Sequence, residues 1–184
     1  MLAFVIFVFA VAGMIKGTIG LGLPAVSMGL LSLVISPFQA ATLLIIPSMV
    51  TNFWQLFAEG RVMRLVQRFW PLLVGMIIGS VWSVFPTLGH GEFQSEALLG
   101  GMLAIYGLYG LFAKNMPNLA PYEKYLSPIM GYLGGALTVA TGVVVIPVVP
   151  YLQSLHLKRD DLVQSLGLAF TVSTLCLAVY LHLN

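Results

Sequence analysis

The sequence predicts an all-α membrane protein: a polytopic transmembrane helical bundle with inverted repeats, each opening on a Gly/Pro-broken helix. Three observations carry that prediction. Of 184 residues, 59% are hydrophobic and only 8% charged, with a mean hydropathy of +1.00, whereas a soluble domain carries about 25% charged residues. Lipid is the solvent such a surface can satisfy. Two apolar segments are too long for one crossing, and each has a Gly/Pro-rich centre, GTIGLGLP (Gly17–Pro24) and TGVVVIPVVP (Thr141–Pro150). Finally, the basic residues fall on one side of the topology that these two breaks impose.

The first element opens MLAFVIFVFAVAG, without a basic n-region or an A-x-A-like site. It therefore reads as a membrane element rather than a cleaved signal. Leu2–Ile35 is broken at GTIGLGLP into two half-helices or two short crossings, and either way the chain returns to the side it left. Charges then bound three full spans, near Gln39–Phe57, Trp70–Leu88 and Ala97–Ala113, a crossing needing about 20 residues. Tyr125–Leu157 is too long for one span and short for two, and breaks at TGVVVIP. Leu162–Asn184 is the last span. Three spans between two broken segments make the second segment enter from the opposite side, the layout of an inverted repeat.

That parity makes a charge prediction. It places the loops 59–69, 114–124 and 157–161 on one side, carrying Arg61, Arg64, Arg68, Lys114, Lys124, Lys158 and Arg159. By the positive-inside rule this side is cytoplasmic. The acidic loop Gly89–Glu96 and the stretch Ser36–Gln39 fall outside. The first repeat covers 1–113, a loop 114–124 follows, and the second repeat covers 125–184. The second holds one broken segment and one span; a full copy needs roughly 50 to 60 more residues, so the pattern predicts a chain shortened at its C-terminus. Residue matches between repeats are sparse. Aligning Pro24 with Pro147 pairs Val26 with Val149, Ser48 with Thr171 and Thr51 with Thr174, and a one-residue slip pairs Gly13 with Gly135 and Gly20 with Gly142.

Several functions are excluded. A net charge of +2 with no basic run interleaved with aromatics argues against nucleic acid. One cysteine, Cys176, gives no disulfide framework and no Cys-based metal site. His90, His156 and His182 are scattered near loops or the C-terminus, with no metal-ligand spacing and no Ser/His/Asp set, so no cofactor, metal or catalytic centre is expected. Glu59, Glu92, Glu96, Glu123, Asp160 and Asp161 all fall in expected loops or at span ends, leaving no mid-span carboxylate for a proton relay. Trp70, Trp82, Tyr122 and WQLFAEGR fit interfacial anchors.

The breaks carry the chemistry. Irregular backbone at membrane depth survives only inside protein or along a watery cavity. A half-helix N-terminus there offers unpaired N–H groups and partial positive charge, suiting an anion, and glycines let a ligand come close. Lys16 adjoins the first break with no Asp or Glu nearby in sequence. Two readings stay open for it: snorkelling to an interface, or facing a cavity and attracting an anion. Thr18, Thr141, Ser48, Thr51, Asn52, Thr171, Ser173 and Thr174 are the other polar groups near the breaks. Singly their hydroxyls suit bonds back to the helix; together they could line a polar path. The glycine pairs Gly13/Gly17, Gly75/Gly79 and Gly131/Gly135 suit close helix packing. Such faces also suit a homo-oligomer, or a scaffold or accessory subunit that holds a partner.

GMIKGTIGLGLPAVS and TGVVVIPVVPYLQSLHLKRDDLVQSLGLAFTVST give the chain its likeness. It resembles the TauE/SafE family of membrane permeases, the sulfite exporters, over nearly its whole length. Where many members carry a GGG-like run, this chain has GLGLP and TGVVVIP. The resemblance implies an inner-membrane transporter of about eight membrane segments, moving sulfite, sulfoacetate, related sulfonates or other small organic anions, with the bilayer and the anion as its partners. Carried over by position, the implied substrate path comprises Lys16, Gly17, Thr18, Gly20, Gly22 and Pro24 from the first motif. The second motif adds Thr141, Gly142 and Pro147, and the following helices add Ser48, Thr51, Asn52, Thr171, Ser173 and Thr174.

Overall fold

The computed structural model describes residues 2–58, 60–85, 87–88, 92–112 and 117–183. Among them run eight α-helices and no strand: α1 (Leu2–Ile19), α2 (Leu23–Leu31), α3 (Pro37–Phe57), α4 (Val62–Val81), α5 (Glu92–Phe112), α6 (Glu123–Thr141), α7 (Val145–Ser154) and α8 (Arg159–Leu183), with a 3-10 turn at Ala120–Tyr122 before α6. Five of them, α1, α3, α4, α5 and α8, contain stretches long and apolar enough to cross a membrane.

Each broken segment resolves into one long and one short helix, not the two half-helices or two short crossings expected. α1 has 18 residues and α2 has 9; α6 has 19 and α7 has 10. The long helix of the first segment ends where Gly20 and Gly22 take φ of 79° and 104°, and that of the second where Gly142 takes 75°. This left-handed region ends a helix and admits glycine with least strain. Pro24 then sits in the first turn of α2, where its missing N–H costs nothing. Gly13 and Gly17 do not break α1, because a lone glycine only weakens a helix.

α3 and α8 run antiparallel. The C-terminal end of α3 meets the start of α8, where the Gln55 amide donates to the Val163 carbonyl and the Gln164 amide to the Leu56 carbonyl. Leu44 and Ile45, early in α3, share a cavity wall with Leu177, late in α8. Asn52 and Thr174, 122 residues apart, hydrogen-bond across the pair. The same offset carries Gly20 to Gly142 and Ala41 to Val163. Correspondingly, Gly20 lies against Val163 and Gly142 against Ala41. The two halves are thus related by an inverting pseudo-two-fold whose axis passes near Asn52 and Thr174. Contacts follow the one-residue slip: Asn52, rather than Thr51, is the counterpart of Thr174.

α4 and α6 run parallel with their backbones touching. A Cβ added at Gly75, Gly79, Gly131 or Gly135 would collide with a carbonyl oxygen of the opposite helix, on Pro128, Tyr132, Leu72 and Met76 respectively. Small residues at four-residue spacing permit this approach. Arg68 locks the end of the pair where both helices begin, through a two-pronged contact with Glu123 at 2.8 and 2.7 Å.

Three boundaries move. α4 begins at Val62, not near Trp70, so Arg64 and Arg68 belong to a helix rather than to a loop 59–69; Arg68 is held there by Glu123. Glu96 lies in α5, so the acidic loop is shorter than the expected Gly89–Glu96. Glu123 and Lys124 open α6, shortening the loop 114–124. Glu59, Pro86, Gly89–Gly91 with His90, and residues 113–116 with Lys114 lie outside the described residues.

Candidate functional site

Lys16 points inward. It is 6% exposed on α1, and its ammonium donates to Oδ1 of Asn52 on α3 and lies 5.6 Å from the centroid of the Phe170 ring on α8, within cation–π range. Asn52, fully buried, passes the polar contact on: its Nδ2 donates to Thr174 Oγ1 at 3.1 Å, and Thr174 Oγ1 donates to the Phe170 carbonyl at 2.8 Å. The result is a one-way chain of donors from α1 through α3 to α8. Taking an ammonium out of water costs several kcal/mol unless partners replace its hydration. Here the replacement is a neutral amide and an aromatic face. Among the described residues the ion pairs are Arg61–Asp161 and Arg68–Glu123, so no described carboxylate balances the Lys16 charge. An ammonium has three donors, and Asn52 is its one hydrogen-bond partner among the described residues.

Two cavities meet this chain from opposite sides. One is open, about 460 Å³, with Lys16, Gly17, Gly20, Thr51, Trp54 and Gln55 among its walls, a volume within the usual range for small-molecule sites. The other is small, about 10 Å³, lined by Pro24, Ser48, Gly142, Val144, Ser173 and Thr174 with apolar neighbours. It has room for about one water. Lys16 walls the first, Thr174 the second, and Asn52 joins the two. The small cavity lies where both breaks converge: Pro24 brings the start of α2, and Gly142 and Val144 bring the stretch that leads into α7, whose second residue, Ile146, is still extended. Neither helix start has a side-chain cap. Ser48, 2% exposed, walls the cavity with an Oγ that has no hydrogen-bond partner.

The expected path residues therefore divide. Lys16, Gly17, Gly20 and Thr51 border the large cavity; Pro24, Ser48, Gly142, Ser173 and Thr174 border the small one; Asn52 stands between. Gly22 caps α2 without reaching either wall. Thr18 is exposed and bonds back to the Met14 and Ile15 carbonyls. Thr141 bonds to the Leu137 carbonyl and accepts from the Val143 N–H, bracing the second break. Thr171 bonds back to the Gly167 carbonyl. Pro147 is half-buried in α7 and walls neither cavity.

Three further residues belong to the site: Gln55, Gln164 and Phe170. Gln55 stood in WQLFAEGR, where the aromatics dominate the reading. Gln164 and Phe170 stood in the second motif, unmarked by any charge. Thr138 occupies the position on α6 that Lys16 occupies on α1 and pairs with Ser173 Oγ at 2.9 Å.

A protein-family model, Sulfite exporter TauE/SafE, matches residues 5–184. No curated protein and no solved structure matches.

Proposed function

The chain belongs to the sulfite exporter TauE/SafE family, and on that premise we propose that it moves a small anion by alternating access at a midplane site between its two breaks. Membership makes it an integral membrane transporter of the permease type. The finer reading rests on one observation. Lys16 is buried near the pseudo-two-fold with a neutral partner, leaving a positive charge beside a cavity. A chain gains nothing in folding from such a charge unless an anion meets it.

In this mechanism the anion enters the open cavity from the Arg61 and Lys158 side, which the charge bias makes cytoplasmic, and takes the two spare Lys16 donors. Drawing Lys16 from Asn52 frees the Asn52 amide and Thr174, opening the way to the Ser48 cavity, where the start of α2 offers partial positive charge. A sulfite, a sulfonate or a carboxylate shares the needed chemistry: a compact oxyanion accepting several hydrogen bonds. The membrane is the bacterial inner membrane in this reading. Flux of sulfite, sulfoacetate and a carboxylate panel into proteoliposomes tests it. Saturable flux of one class supports the reading, and absence of flux for all of them in folded protein rejects it.

A second reading, a non-transporting scaffold, has its own observation. The groove between α1 and α3 is open where the equivalent groove between α6 and α8 holds α4, and Gly13 and Gly17 face nothing within 4 Å. A partner helix seated there would close the Lys16 cavity.

A further inference from the structure

Two buried amides are left half satisfied by everything described above. Gln55 donates through Nε2 to the Gly20 carbonyl at 3.2 Å and the Val163 carbonyl at 2.8 Å, and Gln164 donates through Nε2 to the Leu56 carbonyl at 2.6 Å. The exchange is reciprocal: each amide reaches the residue beside the other, so the two side chains flank one another across the α3–α8 contact. Because the donors are spent on carbonyls, the orientation of each amide is fixed. Gln55 is 7% exposed and Gln164 fully buried, and both Oε1 atoms lack a hydrogen-bond partner. An unmet buried acceptor is destabilising, and here two occur at neighbouring positions.

The surroundings favour a cation as their occupant. α1 ends at Ile19, beside Gln55, and α3 ends at Phe57. Both therefore present helix C-terminal ends, with carbonyls short of partners and partial negative charge. Carbonyls at a broken helix, joined by side-chain oxygens, are the donor set that holds alkali cations in broken-helix transporters. The nearby carboxylate of Asp161 is engaged by Arg61, and Gln55 Oε1, Gln164 Oε1 and the helix-end carbonyls are neutral, which favours a single charge over a divalent ion. The pseudo-two-fold does not repeat the feature: Leu177 and Thr42 stand where Gln55 and Gln164 would map. We propose that Gln55 Oε1 and Gln164 Oε1, with carbonyls at the end of α1, bind a monovalent alkali cation. Bound there, the ion ties the end of α1 to α3 and α8, one helical turn from Lys16, and offsets charge as an anion enters. The site itself stands independently of the anion reading.

The test compares melting of the whole chain in detergent in sodium gluconate and in N-methylglucamine gluconate at equal ionic strength. Sodium is expected to raise the melting temperature saturably. Gln55→Met and Gln164→Met are each expected to raise the half-saturating sodium concentration about tenfold or more. Gln164→Glu, which keeps an oxygen in place and adds charge, is expected to lower it, and it carries the test if the methionine variants do not fold. Equal melting of the unsubstituted chain in both salts means that the oxygens hold only water and overturns the proposal, as does a sodium response that survives in both methionine variants. Anion flux without any sodium response overturns the cation site and leaves the permease reading standing; a sodium response without flux does the reverse.

Discussion

The two halves share one plan and differ in what surrounds it. In each, a long helix ends at a glycine with positive φ, a short helix follows, and a long helix then crosses its counterpart near Asn52 and Thr174. Yet α6 is sealed by α4, backbone against backbone, while the equivalent face of α1 is open. At matching positions Lys16 reaches for Asn52 and Thr138 pairs with Ser173. The pseudo-symmetry supplies the geometry of the breaks, and its violations supply charge and access. One half packs backbone against backbone, and the other keeps an open face, which in the proposed function admits the anion.

The largest effect should come from the glycines. Gly135→Ala places a methyl group against the Met76 carbonyl, which belongs to a rigid helix and cannot yield. A loss of about 3 kcal/mol is expected from such overpacking, read as a drop in melting temperature in detergent. Gly13→Ala, at the equivalent position, meets nothing and should change stability by no more than about 0.5 kcal/mol. Equal losses at the two positions would mean that the α1 face is packed after all, and the contrast between halves would collapse.

A smaller effect on folding, but a large one on transport, is expected at Lys16. Lys16→Met keeps an unbranched stem and removes the charge. Losing charged hydrogen bonds to the anion, worth about 2 kcal/mol, should cut flux about thirtyfold. Melting should move little, because relief of a buried ammonium offsets the orphaned Asn52 oxygen. Asn52→Asp sharpens the point: it supplies a carboxylate that pairs with Lys16, so flux should fall with the lysine still in place. Thr138→Val, at the equivalent position, loses one hydroxyl contact with Ser173, costing about 1 kcal/mol, and should leave flux nearly unchanged. A Thr138 effect on flux as large as that of Lys16 would make the two halves functionally alike.

The fold was legible because charge sparsity marks the spans and because parity and basic residues agree. The start of α4 was not, since Arg64 and Arg68 read as loop until Glu123, far along the chain, is seen to hold Arg68 in a helix. Lys16 was visible as an anomaly, but the choice between snorkelling and burial depended on Asn52, 36 residues away. Glycine spacing predicted tight packing at three pairs, and two of them pack; spacing alone cannot tell a filled face from an open one. Gln55 and Gln164 escaped notice because an uncharged amide near a span end carries no periodic signal, and its meaning lies wholly in which oxygens go unmet.

The smallest effect concerns the ion pair that closes the sealed half. Arg68 and Glu123 are 38% and 18% exposed, so water and salt reach them, and a partly exposed pair of this kind contributes about 0.5 kcal/mol. Glu123→Gln should therefore lower the melting temperature only slightly, and the difference from the unsubstituted chain should shrink in high salt as screening grows. The two-pronged geometry nonetheless fixes the register of α4 on α6, and the glycine contacts tolerate no slip, because each has an opposing carbonyl against it. If backbone packing dominates the sealed half, combining Glu123→Gln with Gly135→Ala should cost little more than the glycine change alone. A loss for the pair of changes well beyond the sum of the two would show that charge and packing jointly set the register, and that the sealed half is held at its Arg68–Glu123 end as firmly as along its length.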